Sequence, residues 1–230
     1  MENTWKACVA EFVGTFGLVF IGAGAVVLSA NGTLDLVGVA LAHGLVLAIM
    51  VSIAGHTSGG LFNPAATVAL WVTGKLASAR TVAYILTQLA AAVVAALLLR
   101  YVVNDTNLFD AAAAGAPQVA AGVDSGRAII IEAVTTFFLV WAIFGTAVDD
   151  RGPFGKTAGL TIGLVIAFDI LAFGPYTGAA MNPARWFGPA LVGGLWELWY
   201  VYVVGPLAGA VLAGLGYWAV FLRDREPSTP

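Results

Sequence analysis

Two stretches decide how this chain is read: His56-Thr57-Ser58-Gly59-Gly60-Leu61-Phe62-Asn63-Pro64-Ala65, and Tyr176-Thr177-Gly178-Ala179-Ala180-Met181-Asn182-Pro183-Ala184. Each ends on Asn-Pro-Ala and leads into a short apolar run, roughly 64–73 and 183–192. Asn is a strong N-cap, its side-chain oxygen accepting a backbone N–H of the first turn. Proline suits that turn because its missing N–H would be unpaired there anyway. Both runs therefore read as helices, yet each is too short to cross a bilayer, which takes about 20 residues. Backbone that stops at membrane depth is tolerated only where it is buried in protein or lines a watery cavity. Two such N-termini facing each other concentrate partial positive charge at mid-membrane. A cation is repelled there, and a neutral dipole passes. The amide NH2 groups of Asn63 and Asn182 are expected to stay free and to point into the pore.

Working outward, the remaining sequence supplies the bilayer-spanning frame. Of 230 residues 60% are hydrophobic and 10% charged, and the mean hydropathy is +0.92. A soluble domain carries about a quarter charged residues, so most of this surface must face lipid. Six stretches, roughly 5–29, 35–56, 78–103, 126–148, 156–175 and 196–222, are long and apolar enough to span. The expected fold class is an all-α membrane protein with six transmembrane helices and two re-entrant half-helices. Each half, about 1–110 and 120–230, holds three spans and one half-helix, and residues 223–230 form a tail. Because three is odd, the second half enters from the opposite face, which makes the whole chain one inverted repeat. Glu11 with Gly14-Thr15 is echoed by Glu132 with Thr135. Lys6, Lys75, Arg80, Arg151, Lys156, Arg223 and Arg225 fall on the side of the termini, against Arg100 and Arg127 on the other. That bias places both termini in the cytoplasm of a multi-pass cell-membrane protein.

Other classes find little support. A net charge of −3 suggests no nucleic-acid partner. Cys8 is the only cysteine, which leaves no intramolecular disulfide or cysteine metal cluster. With two histidines besides, no metal site, cofactor or catalytic constellation is called for, and an enzyme is not expected. Lys6 and the apolar run behind it lead straight into a full span, so no cleavable signal is expected. Gly155, Gly159 and Gly163, like Gly205 and Gly209, recur every four residues and suit close helix packing. The long loop at 104–125 carries no readable chemistry. An ion-coupled transporter stays open as a rival, since inverted repeats with broken helices occur there too.

With both boxes in register with a six-span inverted repeat, the chain resembles the aquaporin, or major intrinsic protein, family over nearly its whole length. The stretch Thr-Gly-x-x-Met-Asn-Pro-Ala-Arg-x-Phe-Gly-Pro (177–189), Glu11, Glu132 and Gln88 share that likeness. The resemblance implies a right-handed bundle in the lipid bilayer, a homotetramer, and passive conduction of water through one pore per subunit. It also implies exclusion of protons and ions by an arginine and the half-helix dipoles. The family's selectivity filter of four positions, counted from the two asparagines, falls on His43, Ile170, Ala179 and Arg185. His-Ile-Ala-Arg is similar to the plant vacuolar-membrane (tonoplast) subgroup, associated with water plus ammonia, urea or hydrogen peroxide. Arg185 and His43 would then form the polar edge met by small neutral solutes.

A glycerol facilitator of the same family is the alternative. Such members carry Asp after the filter arginine and a basic residue four positions later; here Trp186 and Ala190 stand there. Ala190 is like a water channel, Trp186 fits neither pattern, and Tyr202-Val203 keeps half of the usual aromatic pair. Leu61 replaces a histidine common two residues before the first asparagine, which makes the inner vestibule less polar and removes gating through that imidazole. Glu11 and Glu132 could relay protons, while the resemblance gives them the bracing of re-entrant loops, together with His56, which could also touch permeant water. Asp169 could brace a loop or polarise the outer mouth, and the sequence does not choose.

Overall fold

Local chemistry starts and stops most of the helices. The computed structural model describes residues 4–152 and 156–225. Helix α1 runs Thr4–Ala30 and α2 Leu36–Ser58, the latter opened by Asp35, whose carboxylate accepts from the Gly38 N–H. The half-helix α3 (Pro64–Val72) is capped by Asn63 and followed by α4 (Ser78–Val102). A short α5 (Thr106–Ala111) is capped by Asp105. Asp124 caps α6 (Ser125–Ile143), which continues in widened turns over Phe144–Val148. Then come α7 (Ala158–Thr177), the half-helix α8 (Pro183–Gly193) capped by Asn182, and α9 (Val201–Tyr217), which also widens over Trp218–Leu222. Gly59 and Gly178 end α2 and α7 in the left-handed conformation (φ 93° and 81°), the usual stop. Both glycines turn the chain back toward an Asn-Pro box.

Among the described residues, six helices are long and apolar enough to cross a membrane, and the two half-helices are not among them. Several boundaries differ from the sequence reading, the second span ending at Ser58 instead of 56. The fifth span covers 158–177, shifted by about half a turn, and the sixth starts at Val201. Residues 197–200 are turns, with Leu198 at φ 54° and Val201 N–H donating to the Leu198 carbonyl. Trp196, Leu198 and Trp199 are apolar enough to mimic a helix start. The helix α5 lies within the long loop at 104–125.

The helices exchange partners between the halves. Helix α1 packs on α2 and α4, and α6 on α7 and α9, while α2 and α7 meet each other across the molecule. Each half-helix packs more extensively on the opposite half than on its own: α8 against α4, α3 against α9. Small residues make these contacts close. A Cβ on Gly163 would lie 2.3 Å from the Gly44 carbonyl oxygen, and one on Gly209 would lie 2.0 Å from that of Ala133. Gly155 lies outside the described residues. Large apolar side chains point outward instead: Leu41, Leu45, Ile49 and Ile53 form an exposed stripe on α2, as do Leu160, Leu164 and Phe168 on α7. A fold with this arrangement is satisfied only in lipid.

Candidate functional site

Asn63 and Asn182 bring the two halves together. Asn63 sits in extended backbone (φ −153°, ψ 116°), where its Oδ1 accepts from the N–H of Ala65 at 2.8 Å and of Ala66 at 3.4 Å. Asn182 (φ −151°, ψ 110°) accepts likewise from Ala184 at 3.0 Å and Arg185 at 3.2 Å. Pro64 and Pro183 follow as first helical residues, and Ala65 and Ala184 are fully buried behind them. Each amide also donates across the junction: Asn63 Nδ2 to the Met181 carbonyl and Asn182 Nδ2 to the Phe62 carbonyl, both at 2.8 Å. The amides are thus only half free, where the sequence reading leaves them wholly so. An Asn amide carries two hydrogens, so one ties the loops together and one remains for the cavity that both residues line.

Two buried carboxylates hold the loops that deliver these boxes. Glu11 Oε1 accepts from Ser58 Oγ at 2.6 Å and the Leu61 N–H at 3.0 Å; Oε2 accepts from the Phe62 N–H at 2.7 Å and Gln88 Nε2 at 2.8 Å. Glu132 repeats the pattern with Thr177 Oγ1 at 2.7 Å and the N–H groups of Ala180 and Met181 at 2.9 and 2.8 Å. Phe62 and Met181, the residues before each Asn, adopt positive φ (48° and 52°), which costs a non-glycine residue roughly 1–2 kcal/mol. Their N–H groups are the ones bound by the carboxylates, so the strain and its restraint coincide. Tyr84 and Tyr202 complete the frame, their hydroxyls donating to the Ser58 and Thr177 carbonyls at 2.9 and 3.0 Å.

His43, Ile170, Ala179 and Arg185 line one constricted cavity, all nearly buried. Arg185 Nε donates to His43 Nε2 at 3.0 Å, and its Nη1 donates to the Gly115 carbonyl at 2.9 Å. His43 Nδ1 lies 2.8 Å from the Val39 carbonyl. A carbonyl only accepts and a guanidinium only donates, so the ring is the Nδ1–H tautomer with Nε2 as acceptor. Both ring nitrogens are therefore occupied. The polar edge of this constriction consists of the remaining guanidinium hydrogens of Arg185, while both ring nitrogens of His43, which the sequence adds to that edge, are engaged. Gly115, in the loop without readable chemistry, is the partner that sequence reasoning misses. Its carbonyl acts whatever its side chain is, but a Cβ there would meet the Ala23 carbonyl at 2.6 Å and its φ is 74°, so the position demands glycine.

The cavity where the half-helices meet is narrow. The constriction offers about 20 Å³ of free volume, where one water needs about 10–15 Å³ on this measure. On the side away from the termini it opens, past His43 and Arg185, into a vestibule of about 430 Å³. On the side of the termini lies a cavity of about 280 Å³ lined by Ser52, His56 and Lys156. Ile162, Ile166, Leu139 and Val51 give the constriction an apolar wall facing Asn63, Asn182 and Arg185. His56 does not brace the first loop: it is exposed on the last turn of α2, and Ser58 holds Glu11 in its stead. Asp169 is buried, with Oδ2 lacking a hydrogen-bond partner among the described residues, and it does not line the constriction. Trp186 is buried and stacks on Tyr202 with ring centroids 5.5 Å apart, which gives this residue a packing role behind the filter. Outside the spans, Asp149 takes hydrogen bonds from Arg151 and Tyr217. The Arg151 guanidinium holds its carboxyl well below the usual carboxylate range.

Comparison with known proteins agrees with this geometry. The chain is 43% identical to "Aquaporin TIP4-4" of Zea mays, an alignment covering 95% of this chain and 88% of that one. It is 41% identical to "Aquaporin TIP1-2" of Zea mays (97% and 89% covered) and 40% identical to "Aquaporin TIP2-3" of Arabidopsis thaliana (97% and 90%). The fold is similar to the X-ray structure of the aquaglyceroporin from Plasmodium falciparum, with a TM-score of 0.85 at 23% identity over 96% of this chain and 98% of that one. The sequence model of the family described as "Major intrinsic protein" matches residues 1–217. The chain belongs to the major intrinsic protein family.

Proposed function

We propose that this protein is a passive, bidirectional water channel, and that it also passes ammonia and hydrogen peroxide while excluding ions and largely rejecting glycerol. The observation that carries the proposal is the constriction where His43, Ile170, Ala179 and Arg185 meet, at the junction of two half-helix N-termini. Arg185 and the two N-termini put positive charge at the narrowest part of the path, which opposes cations and protons. Water, ammonia and hydrogen peroxide each bring a lone pair for the free Arg185 hydrogens and fit a width of about one water. Glycerol needs partners for three hydroxyls, and Ile170 and Ala179 offer no side-chain partner. Each hydroxyl left unpaired costs about 1–3 kcal/mol.

The Asn-Pro-Ala residues 63–65 and 182–184 form the pore junction in this reading, with Glu11 and Glu132 as its braces. The unit of function is one chain of two inverted halves, associating as a homotetramer in the cell membrane with both termini cytoplasmic. The Lys and Arg bias supports that orientation, and family membership supports the assembly. No cofactor, metal or chemical step enters. The test is internal-pH change on an ammonia gradient and swelling in glycerol, in liposomes holding the purified chain. Ammonia entry well above protein-free lipid with slow glycerol entry supports the assignment; fast glycerol entry with no ammonia signal reverses it.

A further inference from the structure

Away from the pore, on the far side of the two half-helices, lies an open apolar recess of about 300 Å³. Its walls come in pairs: Pro64 with Pro183, Val68 with Phe187, and Ile85 with Val203. Pro64 and Pro183 each follow a box asparagine. Ile85 and Val203 each follow one of the tyrosines, Tyr84 and Tyr202, that donate to equivalent loop carbonyls. The paired residues therefore hold matching places in the two halves, and the recess straddles the two-fold axis of the inverted repeat. That axis lies in the membrane plane, so the recess sits at mid-depth, about 15 Å from either edge of a hydrocarbon core roughly 30 Å thick.

Depth decides what can occupy it. Headgroups and bulk water do not reach the bilayer centre, and no wall side chain is charged. Leu86 on α4 and Val204 on α9, each beside a wall residue, are 63% and 49% exposed, so the recess is continuous with the apolar outer surface. Left empty, it would forfeit dispersion contacts along its walls, and a flexible hydrocarbon end can fill a concavity that a helix of a neighbouring copy would only bridge. We propose that this recess is a binding site for the terminal segment of a lipid acyl chain, which packs against the backs of both half-helices where they meet. The site is separate from the conduction path and does not depend on which solute the pore passes.

Trp186 lines the recess and supplies the probe, because bromine quenches indole fluorescence at contact range. The full-length chain is reconstituted in phosphatidylcholine brominated near the methyl end of the acyl chain or, separately, near its carboxyl end. The difference between parent and Trp186→Phe isolates the signal of this residue. Methyl-end bromines should quench it roughly twofold more than carboxyl-end bromines, and Val203→Phe or Leu207→Phe, which fill the recess, should cut that quenching by about half. Where a filling variant fails to insert, the depth profile of the parent decides alone. Equal quenching at both depths, quenching indifferent to filling, or none at all because a second copy covers the recess would overturn the assignment.

Discussion

In the proposed filter selectivity turns on Arg185, whose geometry is set at two points, Nε on His43 and Nη1 on the Gly115 carbonyl. Arg185→Val removes the fixed charge and widens the ring. A glycerol hydroxyl can then keep a water partner, which saves about 1.4 kcal/mol, a factor of roughly ten. Glycerol entry into liposomes should rise about that much and a cation leak should appear; unchanged entry and leak in a normally inserted variant would count against the filter. Gly115→Ala should have a milder form of the same effect, since the added Cβ collides with the Ala23 carbonyl and pulls the acceptor away from Arg185. At Ala179 a thiol would stand in the constriction. Ala179→Cys should make water flow sensitive to mercurials, whereas the parent, whose only thiol is Cys8 on α1, should resist them. Block of the parent that persists after Cys8→Ser would contradict this placement of the ring. The four proposed filter positions stand at fixed counts from the asparagines, and the structure brings them to one cavity. What they bond to is not legible in the sequence, since the acceptors for Arg185 and His43 are a backbone carbonyl from a distant loop and one from the preceding turn.

At the scale of elements, the half-helices stand on caps and on carboxylates buried beneath them. Asn182→Ala loses a cap worth about 1 kcal/mol and leaves the Phe62 carbonyl unpaired, a further cost of about 1–3 kcal/mol. Asn63→Ala does the same to the Met181 carbonyl. Both variants should melt lower in detergent and give less folded channel, and parity with the parent would show that the cross-junction bonds carry no stability. Glu132→Ala should be worse than either, because it strands the Thr177 hydroxyl and two loop N–H groups at once. The connection after α6 behaves differently. Its Asp149 carboxyl is held below the usual range by Arg151, so its contribution is present above the carboxylate's unfolded pKa and is lost only as pH falls through the lower folded value. Acidification from about pH 8 to 5 should therefore leave this connection, and thermal stability, unchanged as far as Asp149 is concerned, while Asp149→Asn should lower the melting temperature across that window. Sequence signals were strongest where a single residue type has one structural use. Asn-Pro announces a half-helix start; the stretch 196–200 carries no Gly, Pro or Asn, its aromatic residues read as span apart from Glu197, and no capping side chain marks Val201.

For the whole molecule, the lipid environment makes the sequence legible. With apolar side chains such as Leu45, Ile49 and Leu164 turned outward, helix lengths are set by bilayer thickness, and the repeat follows from an odd number of spans. The exchange of half-helices between halves and the recess on the two-fold axis come from packing between distant segments, which no local pattern records. Taken together, the narrow cavity lined by Asn63, Asn182 and Arg185 and membership of the major intrinsic protein family point to passive flow. Stopped-flow light scattering of proteoliposomes after an osmotic step tests this most directly. Water flow should be well above that of protein-free lipid, with no saturation, unaffected by dissipating a proton gradient, and without accompanying proton leak. Water flow equal to that of bare lipid, or flow that collapses with the proton gradient, would contradict it.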